Sequence, residues 1–177
     1  MTPPLERDEL RAALARFDGR DTAPLERLLD SQAPTPTHLR TLVGWVDADE
    51  RSVSSGASWL LRKHLEGGAR LTPAATTRLA EHLSAISDSW ARLHICQSMA
   101  LLDVPAEVVD AFAEFLRTGT KSQHTFERAW AYDGFARLAR RHAHLAAESS
   151  VLLQRGAADP AASVRARLRR LASGRDA

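Results

Sequence analysis

Cysteine, methionine, tyrosine and lysine are all scarce in this chain of 177 residues. Its single cysteine, Cys96, cannot close an internal disulfide, so no covalent staple is available to the fold. None is needed, because a domain of this length buries roughly 70% of the surface that its unfolded form exposes. Charged residues interrupt every apolar run short of the ~20 residues that a bilayer-spanning helix requires. The first residues do not combine a basic start with an apolar run of signal-peptide length, which sets the expectation of a protein of the reducing cytoplasm. Strand-like alternation is nearly absent. Glycine-rich phosphate loops, dinucleotide fingerprints, paired carboxylates and metal-ligand spacings are absent, so no catalytic residue, metal or cofactor is expected.

What is abundant is alanine, leucine and arginine. Lys63 and Lys121 are the lysines, and every other basic side chain is arginine. The formal charge of +2 hides an uneven distribution. Residues 1–115 carry 12 Lys/Arg against 17 Asp/Glu, a net −5, whereas residues 116–177 carry 12 against 5, a net +7. A basic third of this kind either attracts a polyanion or is a solvated face.

Apolar residues recur at three- and four-residue steps, with Pro and Gly falling between the periodic segments, so the fold class is all-α. The periodicity predicts helices over 4–17, 22–31, 36–47, 52–66, 73–86, 88–102, 105–118, 123–141, 143–156 and 160–173, or about five hairpins. Thr72-Pro73, Val104-Pro105 and Asp159-Pro160 put proline in a first turn, where its missing N–H is harmless, with Thr72 and Asp159 as caps. Asp88 and Ser122 stand ahead of long helices in the same capping role. Residues 1–177 read as one domain, with 1–34 as an N-terminal capping hairpin and 35–177 as about four repeats.

The repeat is anchored on Arg92, Arg128 and Arg165, spaced by 36 and then 37 positions. Each is followed at the same three offsets by apolar or small residues: Ile95, Ser98 and Met99; Ala131, Gly134 and Phe135; Leu168, Leu171 and Ala172. Ser54 takes the arginine's place one unit earlier, ahead of Ala57, Leu60 and Leu61. Such periods mean stacked helical hairpins, each covering its neighbour's apolar face. These segments resemble the second helix of HEAT repeats, and the stretches from Trp90 to Gln97 and from Arg128 to Asp133 are similar to bacterial HEAT-repeat proteins without an assigned activity. The resemblance implies a right-handed α-α superhelix, a HEAT-like solenoid. Gly134, in a helix interior, is expected to serve close helix approach.

In such solenoids the second helices line the concave face. Offsets of −2, +2, +5 and +9 from each anchor select one stripe: Trp90, His94, Gln97 and Leu101, then Phe126, Trp130, Asp133 and Arg137, extended by Trp59 and Lys63 on one side and by Arg167 and Arg170 on the other. Tryptophan and arginine are frequent interface anchors, so the stripe is the candidate partner-binding band. The competing reading makes the tryptophans wedges between repeats, with the anchor arginines bonding carbonyls or acids of the next unit. Cys96 is expected to be a buried, inert thiol, and His94 beside it lacks further ligands for a metal.

The function expected from these features is that of a non-catalytic scaffold for a protein partner, acting outside membranes. The alternative is nucleic-acid binding through the basic C-terminal arginines. One class of alkylpurine DNA glycosylases uses a HEAT-like solenoid whose aromatics, aspartate and arginine grip damaged DNA, and Trp59, Trp130, Asp133 and Arg170 supply comparable residue types.

Overall fold

The computed structural model describes residues 5–174. Among them the chain forms ten α-helices and no strand: α1 (Arg7–Ala15), α2 (Ala23–Ser31), α3 (Pro36–Val43), α4 (Arg51–Glu66), α5 (Pro73–His82), α6 (Ser89–Ser98), α7 (Val109–Gly119), α8 (Thr125–Arg141), α9 (Ala146–Ala157) and α10 (Ala162–Ala172). Among the described residues no helix is long and apolar enough to cross a membrane.

Short polar side chains set several starts. Thr35, Thr72 and Asp88 accept hydrogen bonds from the backbone N–H groups of His38, Ala75 and Ala91, satisfying donors that the first turn leaves free. Two expected caps do something else. Ser122 Oγ donates to the Glu127 carboxylate, and α8 begins only at Thr125. The Asp159 carboxylate accepts the Ala161 N–H and is otherwise taken by Arg128, so α10 starts at Ala162, two residues beyond the proline. After Pro105 the chain makes a 3-10 turn before α7, which therefore begins four residues later than its proline suggests.

The even-numbered helices from α4 onward pack in chain order, α4 on α6, α6 on α8 and α8 on α10, while α3 packs on α5 and α5 on α7. α3 also lies against α4, α7 against α8 and α9 against α10, so the layers share one apolar interior running from Leu10 to Leu168. Phe112, Phe135, Leu60 and Ile95 are among its fully buried side chains. α1 and α2 both pack on α4. Gly56 makes room for them, because a Cβ there would stand 2.9 Å from Leu14 Cδ2 and 3.4 Å from Leu25 Cδ2.

Glycine serves the same end deeper in the stack. A Cβ on Gly134 would meet Leu116 Cδ2 at 2.8 Å and Met99 Cγ at 2.9 Å. On Gly119 it would meet Ala131 Cβ at 2.8 Å. The two differ in what can yield: leucine and methionine can rotate away, whereas an alanine Cβ moves only with its helix. Gly134→Ala should therefore cost about 1 kcal/mol, overpacking being partly offset by alanine's better helix propensity, and Gly119→Ala about 3 kcal/mol. Urea-unfolding midpoints check the order; equal losses, or a larger loss at Gly134, contradict the rigid α7–α8 approach.

Candidate functional site

Polar contacts between successive even-numbered helices and the loops ahead of them recur along the chain. Arg51 on α4 reaches Asp88, the N-cap of α6, at 3.3 Å. Arg92 Nε on α6 donates to Glu127 of α8 at 2.6 Å, and Arg128 on α8 holds both oxygens of Asp159, at 2.7 and 3.1 Å. Each anchor arginine also donates to the carbonyl six residues before it, Arg92 to Ile86, Arg128 to Ser122 and Arg165 to Asp159. The guanidinium thus ties its own helix to the preceding loop and, for Arg92 and Arg128, to an acid on α8 or in the loop ahead of α10. At the serine-substituted position, Ser54 Oγ donates to the Val46 carbonyl in the loop ahead of α4. On the other layer, His82 meets Asp47 at 2.8 Å and Arg117 grips Glu148 through two nitrogens.

The residues of the expected band fall into two sets. The first surrounds a cleft of about 270 Å³ between α4, α6 and the loop that follows α1. Trp59 and His94 are buried there at 7% exposure each, whereas Trp90 is 50% exposed. Trp59 and His94 are thus not the open surface that the stripe suggested, because Phe17 and Arg20 of the loop share the cleft with them. The Lys63 ammonium lies 5.8 Å from the Trp59 ring centroid and pairs with Glu66. Gln97 Oε1 accepts from Arg62 Nη1 at 2.9 Å.

The second set closes on itself. Asp133, 1% exposed, accepts from Arg137 Nε on its own helix and from Arg167 Nε of α10 at 2.6 Å. The Arg167 guanidinium lies over the Trp130 ring, 3.5 Å from its centroid. Both carboxylate oxygens are engaged, so a ligand reaches Asp133 only after these pairs open. Arg170, by contrast, is exposed beyond this cluster.

Sequence reasoning did not single out Phe17, Arg20, Arg62, Glu127 or Asp159 as members of these arrangements. The ladder acids hide from superposition because Asp88, Glu127 and Asp159 stand four, one and six residues ahead of Arg92, Arg128 and Arg165. A search for an acid at any position shortly before each anchor finds them.

The remaining chemistry is quiet. Cys96 is buried, and burial reinforced by the Glu127 charge pushes its thiol up, far from a thiolate at neutral pH. No group of three or more His, Cys, Asp or Glu able to hold a metal occurs among the described residues. A wider groove of about 760 Å³ runs along α8, α9 and α10, floored by Ala139, Leu153 and Leu168 and edged by Arg140, Arg165 and Arg169. Comparison with protein-family models, curated proteins and solved structures finds no match.

Two predictions follow from the buried polar groups. Asp133→Ala leaves two guanidinium groups without their shared anion and should cost about 3 kcal/mol, whereas Arg137→Ala keeps the Arg167 pair and should cost about 1 kcal/mol. Thermal unfolding distinguishes them, equal effects contradicting the shared-anion arrangement. Burial, helped by the neighbouring His38, pushes His64 down to about 4, and burial, with Arg62 next, pushes His94 down to about 3. Both imidazoles stay neutral in the fold but take up a proton near the ordinary 6.5 when it opens. Stability should accordingly fall as pH drops from 6.5 towards 4. Glu148 and Asp159, held by arginines below their ordinary 4.5 and 3.8, weaken the fold only in stronger acid. A melting temperature flat across the histidine window contradicts this, and His64→Gln should reduce the slope.

Proposed function

We propose that the chain is a non-catalytic binding module, a HEAT-like solenoid whose second helices present a docking face to a partner protein. The carrying observation is that Trp90 and Phe126, 50% and 64% exposed, stand at the same offset from Arg92 and Arg128 on helices that pack against each other. Large aromatics kept in water at equivalent places on adjacent helices fit an interface anchor better than a packing role. The solenoid reading draws support from the ordered packing of α4, α6, α8 and α10 and from ion pairs that join each unit to the next.

A nucleic-acid partner is the second reading, favoured by the exposed Arg140, Arg169 and Arg170 near the C-terminal end. The geometry reduces its reach. Arg165 bonds backbone carbonyls, Arg167 and Arg137 share Asp133, and Arg141 is bonded to Leu102 and Asp103. Arg140, Arg169 and Arg170 by themselves imply a salt slope near −3, about −0.9 for each phosphate neutralised.

Affinity capture from the native lysate, run with and without nuclease, separates the readings. Trp90→Ala combined with Phe126→Ala removes only exposed rings, so the variant should melt with the wild type. Loss of a nuclease-resistant protein partner in that variant is the expected result. Partners unchanged by the double substitution overturn the docking face, and capture abolished by nuclease moves the assignment to nucleic acid.

A further inference from the structure

The cleft between α4, α6 and the loop after α1 has a chemical character that partner docking does not require. Two indoles, Trp59 and Trp90, form part of its wall, joined by Phe17 from the loop. Two guanidinium groups, Arg20 and Arg62, also line it. Arg62 is held in place by Gln97 and Glu66, yet its Nε is buried without a hydrogen-bond partner. Burial works against its charge, and an anion nearby would offset that cost.

The loop is built rather than loose. Asp18 Oδ1 accepts from the Arg20 and Asp21 N–H groups at 2.8 and 2.9 Å, Asp21 in turn caps Ala23, and Gly19 takes the left-handed φ of +80° that the turn requires. Arg20 is thereby set at the cleft with its side chain exposed and in no ion pair.

Ser58 Oγ donates its one proton to the Ser55 carbonyl at 2.9 Å, so it accepts from His94 Nδ1–H at 3.0 Å. The imidazole is neutral in this state, and its Nε2 is an acceptor. Gln97, whose carbonyl oxygen serves Arg62, keeps its amide N–H groups as donors.

We propose that this cleft binds a small aromatic carboxylate carrying a hydrogen-bond donor on its ring. The ring lies against the indoles, the carboxylate faces Arg20 and Arg62, and the ring's N–H or O–H serves His94. At about 270 Å³ the space is just below the roughly 300–1,000 Å³ of drug-sized sites, which suits a molecule of one or two rings. The site goes beyond the partner surface and is tested on the isolated chain, so either assignment can fail without the other.

The probe is 2-aminobenzoate, with 2-aminobenzamide as a neutral molecule of the same ring and donor. The readout is the set of indole N–H resonances of the four tryptophans. Saturable shifts at Trp59 and Trp90, with Trp45 and Trp130 unmoved, are expected, and the amide should bind about tenfold more weakly. Arg20→Ala should weaken 2-aminobenzoate by about tenfold, and Arg20→Glu further, while both melt with the wild type because Arg20 makes its turn through its backbone. Absence of saturable shifts at millimolar probe, equal binding of the amide, indifference to both Arg20 variants, or shifts shared by Trp130 each overturns the proposal.

Discussion

The arrangement of this protein depends on arginines that bridge between helices. A guanidinium has five donors in a fixed plane, enough to hold a carbonyl of the loop behind it and a carboxylate further along the chain at once. Arg92 does this with Ile86 and Glu127, and Arg128 with Ser122 and Asp159. Such pairs, at 16% side-chain exposure for both arginines, are weak evidence for stability taken singly, since their desolvation opposes the attraction. Their contribution is register: burial of leucine and alanine is indifferent to small slides along a helix, whereas a charge pair is not.

Close packing works on the same contacts. Gly119 and Gly134 bring α7 and α8 to a separation at which neither tolerates an added methyl group without movement. Met99, at the C-terminal end of α6, also reaches Gly134, so two neighbours are seated on one small residue. Apolar contact supplies most of the driving force and the arginines choose among near-equal packings. A lysine at Arg128 would keep the charge and lose the two-pronged hold on Asp159.

Much of the helical order was legible in the sequence, because amphipathic periodicity and proline or glycine punctuation report on local backbone preference. The likeness of Arg92, Arg128 and Arg165 was legible too, and each donates to the carbonyl six residues before it. Helix starts were less so: Ser122 has the chemistry of a cap but gives its hydroxyl to Glu127, five positions on, and Asp159 is taken by Arg128, and no local rule weighs a cap against an arginine more than thirty positions distant. The candidate band suffered in the same way. A helical wheel places Trp59, His94 and Asp133 on one stripe but is silent on what lies beside them, and Phe17, which lines the same cleft as Trp59 and His94, and Arg167, which bonds Asp133, come from other elements.

Cys96 lends the molecule an intrinsic reporter. It lies on α6, in the middle of the even-numbered layer, with its sulfur close to the α7–α8 approach at Gly119. A thiol reagent in the surrounding water meets it only when those helices part. The rate at which the native chain is alkylated is consequently a clock for breathing at the heart of the stack, one that needs no engineered label.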